Sequence, residues 1–306
     1  MSQPRVSGRT VLITGGAGFI GSHLADALVA NNDVIVLDDL SSGSRENVPD
    51  EATFVEGDVR DEDVVADVTD GVDLIFHEAA VVSVEQSIDE PESCHDVNFD
   101  GTLRLLEAAR RQDARLVFAS SAAIYGDPTT LPITESEPAD PRSPYGIDKC
   151  GADQYVRTYH DLYDLETVAL RYFNVYGPRQ TASDYSGVIS IFREQAQAGD
   201  PITVDGDGTQ TRDFVHVRDV VQANLRAATT EHVGAAYNVG TGEETSIRTL
   251  AETIRETVDT DSSIVHGEPR PGDIERSRAD VTKARQRLGY EPDVSLADGL
   301  ATLFDE

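Results

Sequence analysis

From Val11 to Arg171, short runs of β-branched and other apolar residues alternate with longer stretches in which apolar positions recur every three or four residues. The runs VLIT (11–14), VIVLD (34–38), FVEGD (54–58), LIFH (74–77), LVFAS (116–120) and TVALR (167–171) are expected to be successive strands. The stretches 19–30, 100–111 and 146–163 are expected to be helices with one apolar stripe. Strands joined through helices run parallel with right-handed crossovers, so the expected class is α/β, a doubly wound parallel sheet. After Tyr176 the alternation is lost, and glycine and proline cluster at 177–178, 199–208 and 267–272. Residues 1–175 therefore read as the sheet domain. Residues 176–306 read mainly as a smaller, loop-rich domain, some of which can return to the sheet. No linker separates the halves, so a shared cleft is expected.

With 306 residues the chain can build two cores of ordinary size. Its 56 acidic and 25 basic side chains leave a formal net charge of −31, which repels nucleic-acid phosphates and anionic lipid headgroups. Neither is an expected partner. Lys149 and Lys283 are the only lysines, and the other 23 basic residues are arginine. This skew resembles that of proteins of salt-accumulating microbes, in which a Debye length of ~3 Å at molar salt removes most repulsion between surface carboxylates. The alternative is an acidic mesophilic protein, which the near absence of lysine disfavours. A halophilic protein is expected. Cys94 and Cys150 have neither metal-ligand spacing nor the makings of a disulfide framework, so no metal is expected and a reducing cytoplasm fits. The first ten residues have no apolar signal core, and no apolar run approaches ~18 residues.

The segment TGGAGFIG (14–21) lies between the first expected strand and its helix. Gly15, Gly18 and Gly21 are spaced three apart, and Gly16, Gly18 and Gly21 also satisfy G-x-G-x-x-G. Glycines there allow a tight turn, a close approach to a pyrophosphate and close helix packing, with helix amides facing the anion. Asp38 closes the second strand about 20 residues further on, where a carboxylate accepts from an adenosine ribose and repels a 2′-phosphate. With no arginine beside it, NAD is favoured over NADP. Asp58, in GDV, is either a contact to the adenine edge or an ordinary strand-end acid.

Tyr145 and Lys149, in YGIDK, stand at i and i+4 on one helix face. An ammonium there is expected to stabilise the phenolate, so that Tyr145 can take and return a proton near neutrality. The fifth strand ends in Ser120 and Ser121, whose hydroxyls either support a reacting oxygen or cap the next turn.

Together TGGAGFIGSHL, LDDLSSG, GDV, HEAA (77–80), VNFDGT (97–102), SSAAIYG, YGIDK, RYFNVYGPR (171–179), GDGTQTRDFVHVRDV (206–220), YNVGTG (237–242) and RPGD (270–273) resemble an extended short-chain dehydrogenase/reductase, most closely the UDP-glucose 4-epimerase group. The likeness runs from Thr10 to about Tyr290. It implies a Rossmann domain holding NAD throughout turnover and Ser121, Tyr145 and Lys149 as the catalytic triad. It also implies cofactor contacts by Phe19, Ile20, Asp39, Val59, Ala79, Ala80, Asn98 and Tyr172. Asn174, Arg212 and Arg270 are implied at the pyrophosphate of a UDP-sugar, Asp273 at its ribose, and Val188 and Ser277 beside the substrate. By sequence alone the two arginines are cations in glycine-rich loops, although a guanidinium fork suits a diphosphate.

Related dehydratases and decarboxylases have a carboxylate just after the strand-end hydroxyl, where this chain has Ala122 and Ala123. Alanine cannot protonate a leaving group, which disfavours elimination. The resemblance thus implies 4-epimerisation of a UDP-hexose through a transient 4-keto sugar, with N-acetyl forms admitted if small Ser277 leaves the pocket wide. The alternatives are a 4,6-dehydratase, decarboxylase or 4-keto reductase on the same scaffold, or a catalytically silent NAD-binding regulator. Pairing of helices 100–111 and 146–163 across a two-fold axis, as in many relatives, implies a homodimer.

Overall fold

The computed structural model describes residues 6–180, 187–269 and 273–304. The six expected strands form as β1 (Thr10–Thr14), β2 (Asp33–Asp38), β3 (Thr53–Glu56), β4 (Leu74–His77), β5 (Arg115–Ser121) and β6 (Thr167–Tyr172). All pair in parallel. Every residue of β4 and β6 is buried, which is why their stretches 74–76 and 168–170 read as unbroken apolar runs. Successive residues face opposite layers: Val11 and Ile13 of β1 join one core, and Leu12 the other.

The first core is covered by α1 (Phe19–Leu28) through Leu24 and Leu28. The second is covered by α2 (Glu62–Thr69), α5 (Gly101–Gln112) and α6 (Pro144–Tyr163), through Val65, Leu105, Leu106 and Val156. Short helices α3 (Val84–Asp89) and α4 (Pro91–His95) precede α5. Helix α6 begins where Ser143 Oγ accepts from Gly146 N at 3.1 Å and Pro144 occupies the first turn.

The later half adds β7 (Asn174–Tyr176), α7 (Val188–Ala198), β8 (Ile202–Asp205), β9 (Thr211–Arg212), β10 (Phe214–His216) and α8 (Val217–Ala227). Strand β11 (Ala235–Val239) then pairs in parallel with β6, completing a seven-stranded sheet of order β11-β6-β5-β4-β1-β2-β3. Helix α8 packs on the α1 side, with Val220 and Ala223 in the same core. Beyond these lie β12 (Thr245–Ser246), α9 (Ile247–Val258), β13 (Ile264–Gly267), α10 (Thr282–Leu288) and α11 (Leu296–Ala301). A separate core of Phe192, Leu250, Ile254 and Leu300 holds α7, α9 and α11 together. Strand order reverses between β1 and β4, and the crevice beyond their carboxyl ends is where such a sheet takes a ligand.

Candidate active site

At that crevice the chain between β1 and α1 passes very close to the loop after β4. Gly15 has φ +70°, and a Cβ there would lie 2.6 Å from Ala79 N. A Cβ on Gly21 would lie 2.2 Å from Gly15 O, so helix and turn touch backbone to backbone. Gly18 caps α1 without any side-chain hydrogen bond, which leaves the first-turn amides at Phe19 and Ile20 to an anion. Asp38 is buried at the end of β2, with Oδ2 accepting from Ala17 N and Oδ1 from Leu40 N, both at 2.9 Å. Burial raises its carboxyl while these amides pull the other way. Each carboxylate oxygen retains a second lone pair, so a ribose diol can still be accepted. This cradle fits a dinucleotide.

The neighbouring positions are less direct. Asp39 is exposed and accepts from Ser41 N and Oγ in its own turn. Asp58 is held by the Arg60 guanidinium at 2.6–3.0 Å, which lowers its carboxyl. Val59 points into the core against Gly101. Asn98 is buried and clamps Val81, accepting from its N at 2.8 Å and donating to its O at 2.9 Å, so it shapes the loop that carries Ala79 and Ala80. Buried His77 lies between the Thr14 and Thr102 hydroxyls at 2.8 and 2.9 Å, and burial and Lys149 push it down to about 3, so it is neutral.

Ser121, Tyr145 and Lys149 converge at the ends of β5 and α6. Ser121 Oγ accepts from Ala123 N at 3.1 Å, so it caps the following turn, and its side chain favours the ionised form of the neighbouring Tyr145 phenol. Of the two readings of this hydroxyl, the structure shows the cap. Lys149, 2% exposed, donates from Nζ to Ala119 O at 2.8 Å and stands 4.8 Å from the Phe118 ring centroid. The expectation that this ammonium draws the Tyr145 phenol down is corrected. Burial raises the phenol, and the opposing pull comes from Ser121. The i,i+4 spacing puts both residues on one face, but the ammonium is aimed at the strand end. Burial pushes Lys149 itself down to about 8. Ser120 points away and donates to Asp153 Oδ2 at 2.9 Å.

Toward the smaller domain, Asn174 Nδ2 donates to Asp213 O at 3.2 Å. Arg212 Nη1 donates to Thr211 O at 2.7 Å, and its Nη2 binds the Asp273 carboxylate. The two residues assigned separately to pyrophosphate and ribose thus face each other. Burial lowers Arg212, with Asp273 opposing it. Val188 opens α7 behind Gly187, which makes no side-chain cap. Ser277 is buried, and its N donates to Thr211 O at 3.1 Å. Arg270 lies outside the described residues. Among the described residues no group of three or more His, Cys, Asp or Glu side chains is placed to hold a metal, and no helix is long and apolar enough to cross a membrane.

Residues 11–240 match the NAD dependent epimerase/dehydratase family. The chain belongs to that family. Its cofactor is accordingly NAD, in agreement with the glycine cradle and Asp38. The chain is 43% identical to a UDP-glucose 4-epimerase of Mycolicibacterium smegmatis over 299 residues, 95% of this chain and 96% of that one. A UDP-glucose 4-epimerase of Thermotoga maritima, solved with UDP-glucose, superposes with a TM-score of 0.93 at 40% identity, covering 96% of each chain. UDP-glucuronic acid decarboxylase 2 of Arabidopsis thaliana is 38% identical over 305 residues, 98% of this chain and 68% of that one. The family thus assigns a sugar-nucleotide enzyme with this fold and cofactor.

Sequence reasoning overlooked Glu78, Asp153, Arg171 and Asn224, which lie in the loop after β4 and in α6, β6 and α8. Glu78 stood in the quoted HEAA at a strand's carboxyl end, a position that was itself a signal.

Proposed function

We propose that this protein is an NAD-dependent 4-epimerase of UDP-hexoses. The observation that carries the reading is Ser121 at the end of β5, acting on the Tyr145 phenol and followed by Ala122 and Ala123, a proton-transfer pair with no adjoining acid for elimination. NAD, when bound, supplies reversible hydride transfer at carbon 4 of the sugar. Tyr145 Oη takes the proton of the 4-hydroxyl and later returns it. Ser121 Oγ supports that oxygen while it is a ketone. Lys149 holds the cofactor ribose and adds positive charge to the strand end. Asn174, Arg212 and Arg270 hold the diphosphate with Asp273 at the uridine ribose, so that the keto sugar can present either face without leaving. For Arg212 and Asp273 this requires exchanging their mutual ion pair for the ligand.

The reading includes a homodimer, supported by Ile147, Tyr155, Leu162 and Tyr163 exposed along α6 with Ile88 of α3. It also includes a cytoplasmic, salt-adapted enzyme, supported by two free cysteines and the −31 charge. The test is to incubate the pure protein with UDP-galactose, and with UDP-N-acetylgalactosamine, in molar KCl without added NAD. Interconversion with the gluco epimer is expected. A 4-keto-6-deoxy product, or decarboxylation of UDP-glucuronic acid in its place, overturns the reading in favour of another chemistry on the scaffold. No turnover despite bound NAD favours a silent regulator.

A further inference from the structure

A buried ammonium is costly unless a counter-charge faces it. Lys149 is closed off from water on α6, and among the described residues its hydrogen bond goes to the neutral Ala119 carbonyl. Its sequence neighbour Asp148 is turned away, with Oδ1 at 2.7 Å from His95 Nδ1. Glu78 follows directly on His77, whose partner in β5 is Phe118, next to the Ala119 whose carbonyl takes the lysine, so this carboxylate stands at the same strand end.

Glu78 is held by a relay from two other elements. Asn224 Nδ2 on α8 donates to Tyr172 Oη at 2.8 Å, and Tyr172 Oη on β6 donates to Glu78 Oε1 at 2.8 Å. An amide N–H can only donate, so the phenol proton is committed to Glu78 and the carboxylate is the acceptor at the end of the relay. Asn224 is fully buried and Tyr172 nearly so, which fixes the geometry.

We propose that Glu78 is a positioning residue of this site: anchored through Tyr172 and Asn224, its carboxylate is the counter-charge that keeps the Lys149 ammonium protonated beside Tyr145. The groups acting on Glu78 are Tyr172 from β6 and Lys149 from α6. Those acting on Lys149 are Glu78, then Cys94 and Asp148, and neutral His77 lies within its field. Burial raises Glu78 and lowers Lys149, and the charge of each favours the charged form of the other.

The two-lysine composition makes a direct test possible. Lysine labelled with ¹³C at Cε and ¹⁵N at Nζ gives two signals, and Lys283→Arg assigns them. Glu78→Gln keeps the shape and removes the charge, and is expected to lower the Lys149 midpoint by about one pH unit. Asp148→Asn is expected to move it less. Where Glu78→Gln does not fold, Tyr172→Phe, which strips Glu78 of its hydrogen bond and makes it harder to ionise, is expected to shift Lys149 in the same direction. An unmoved Lys149 titration in the folded variant, or a larger shift from Asp148→Asn, overturns the proposal.

In turnover, which rests on the proposed function, the alkaline limb of kcat/KM is expected to move down with the Lys149 midpoint in Glu78→Gln and to return part-way in Glu78→Asp. An unmoved limb beside a shifted lysine overturns the catalytic consequence. A protein inactive on every UDP-hexose counts against the epimerase reading, while the lysine titration still decides the role of Glu78.

Discussion

Asp153 and Arg171 meet through two buried hydrogen bonds, Nε to Oδ2 at 3.0 Å and Nη2 to Oδ1 at 2.9 Å. The carboxylate also receives Ser120 Oγ and Arg157 Nε at 2.9 Å, and the guanidinium also reaches Tyr125 Oη at 2.9 Å and Glu135 O at 3.0 Å. This cluster ties α6, with Tyr145 and Lys149, to β5 and β6, with Ser121 and Tyr172. Removing one member of a buried pair strands the other charge, at a cost of about 3–5 kcal/mol. Asp153→Ala is expected to lose that much in denaturant unfolding. The double variant Asp153→Leu, Arg171→Met is expected to regain much of it. A loss below about 1 kcal/mol in the single variant refutes the locking role.

Tyr145→Phe removes the proposed proton carrier and leaves the ring. It is expected to stay folded with NAD bound and to lose about 10²–10⁴-fold in turnover, the usual share of general acid/base catalysis. Activity near that of the parent rules out Tyr145 as the carrier.

A formal charge of −31 repels itself in dilute buffer and is screened in concentrated salt. The melting temperature and activity are expected to rise steadily from low ionic strength to molar KCl. Equal melting temperatures at both extremes sink the halophilic reading.

Ser277 is 4% exposed, with its backbone fixed to Thr211 beside Arg212. As the small residue assigned to the sugar pocket, it is expected to admit N-acetylated UDP-hexoses. Ser277→Tyr overfills the wall, at about 1–3 kcal/mol, and is expected to cut kcat/KM for the acetylated substrates far more than for UDP-glucose. Equal losses, or a parent inactive on acetylated sugars, show that Ser277 is not the gate.

The strands and the cofactor turn could be read from the chain because their causes are local. Strands buried on both faces are continuous apolar runs, and the glycine turn, Asp38 and the i,i+4 pair of Tyr145 and Lys149 depend only on spacing. The short strand β11 was not among the expected ones. Its AAYNV is a strand because it completes the edge beside β6, with Lys283 Nζ donating to Ala236 O at 2.8 Å. Only the tertiary structure decided the electrostatics. That Lys149 bonds the end of β5, and that Arg212 is paired with Asp273, depend on groups far apart in sequence. A buried group's charge is set by what surrounds it in space, and at positions 78, 149, 172 and 224 those surroundings exist only once the chain has folded.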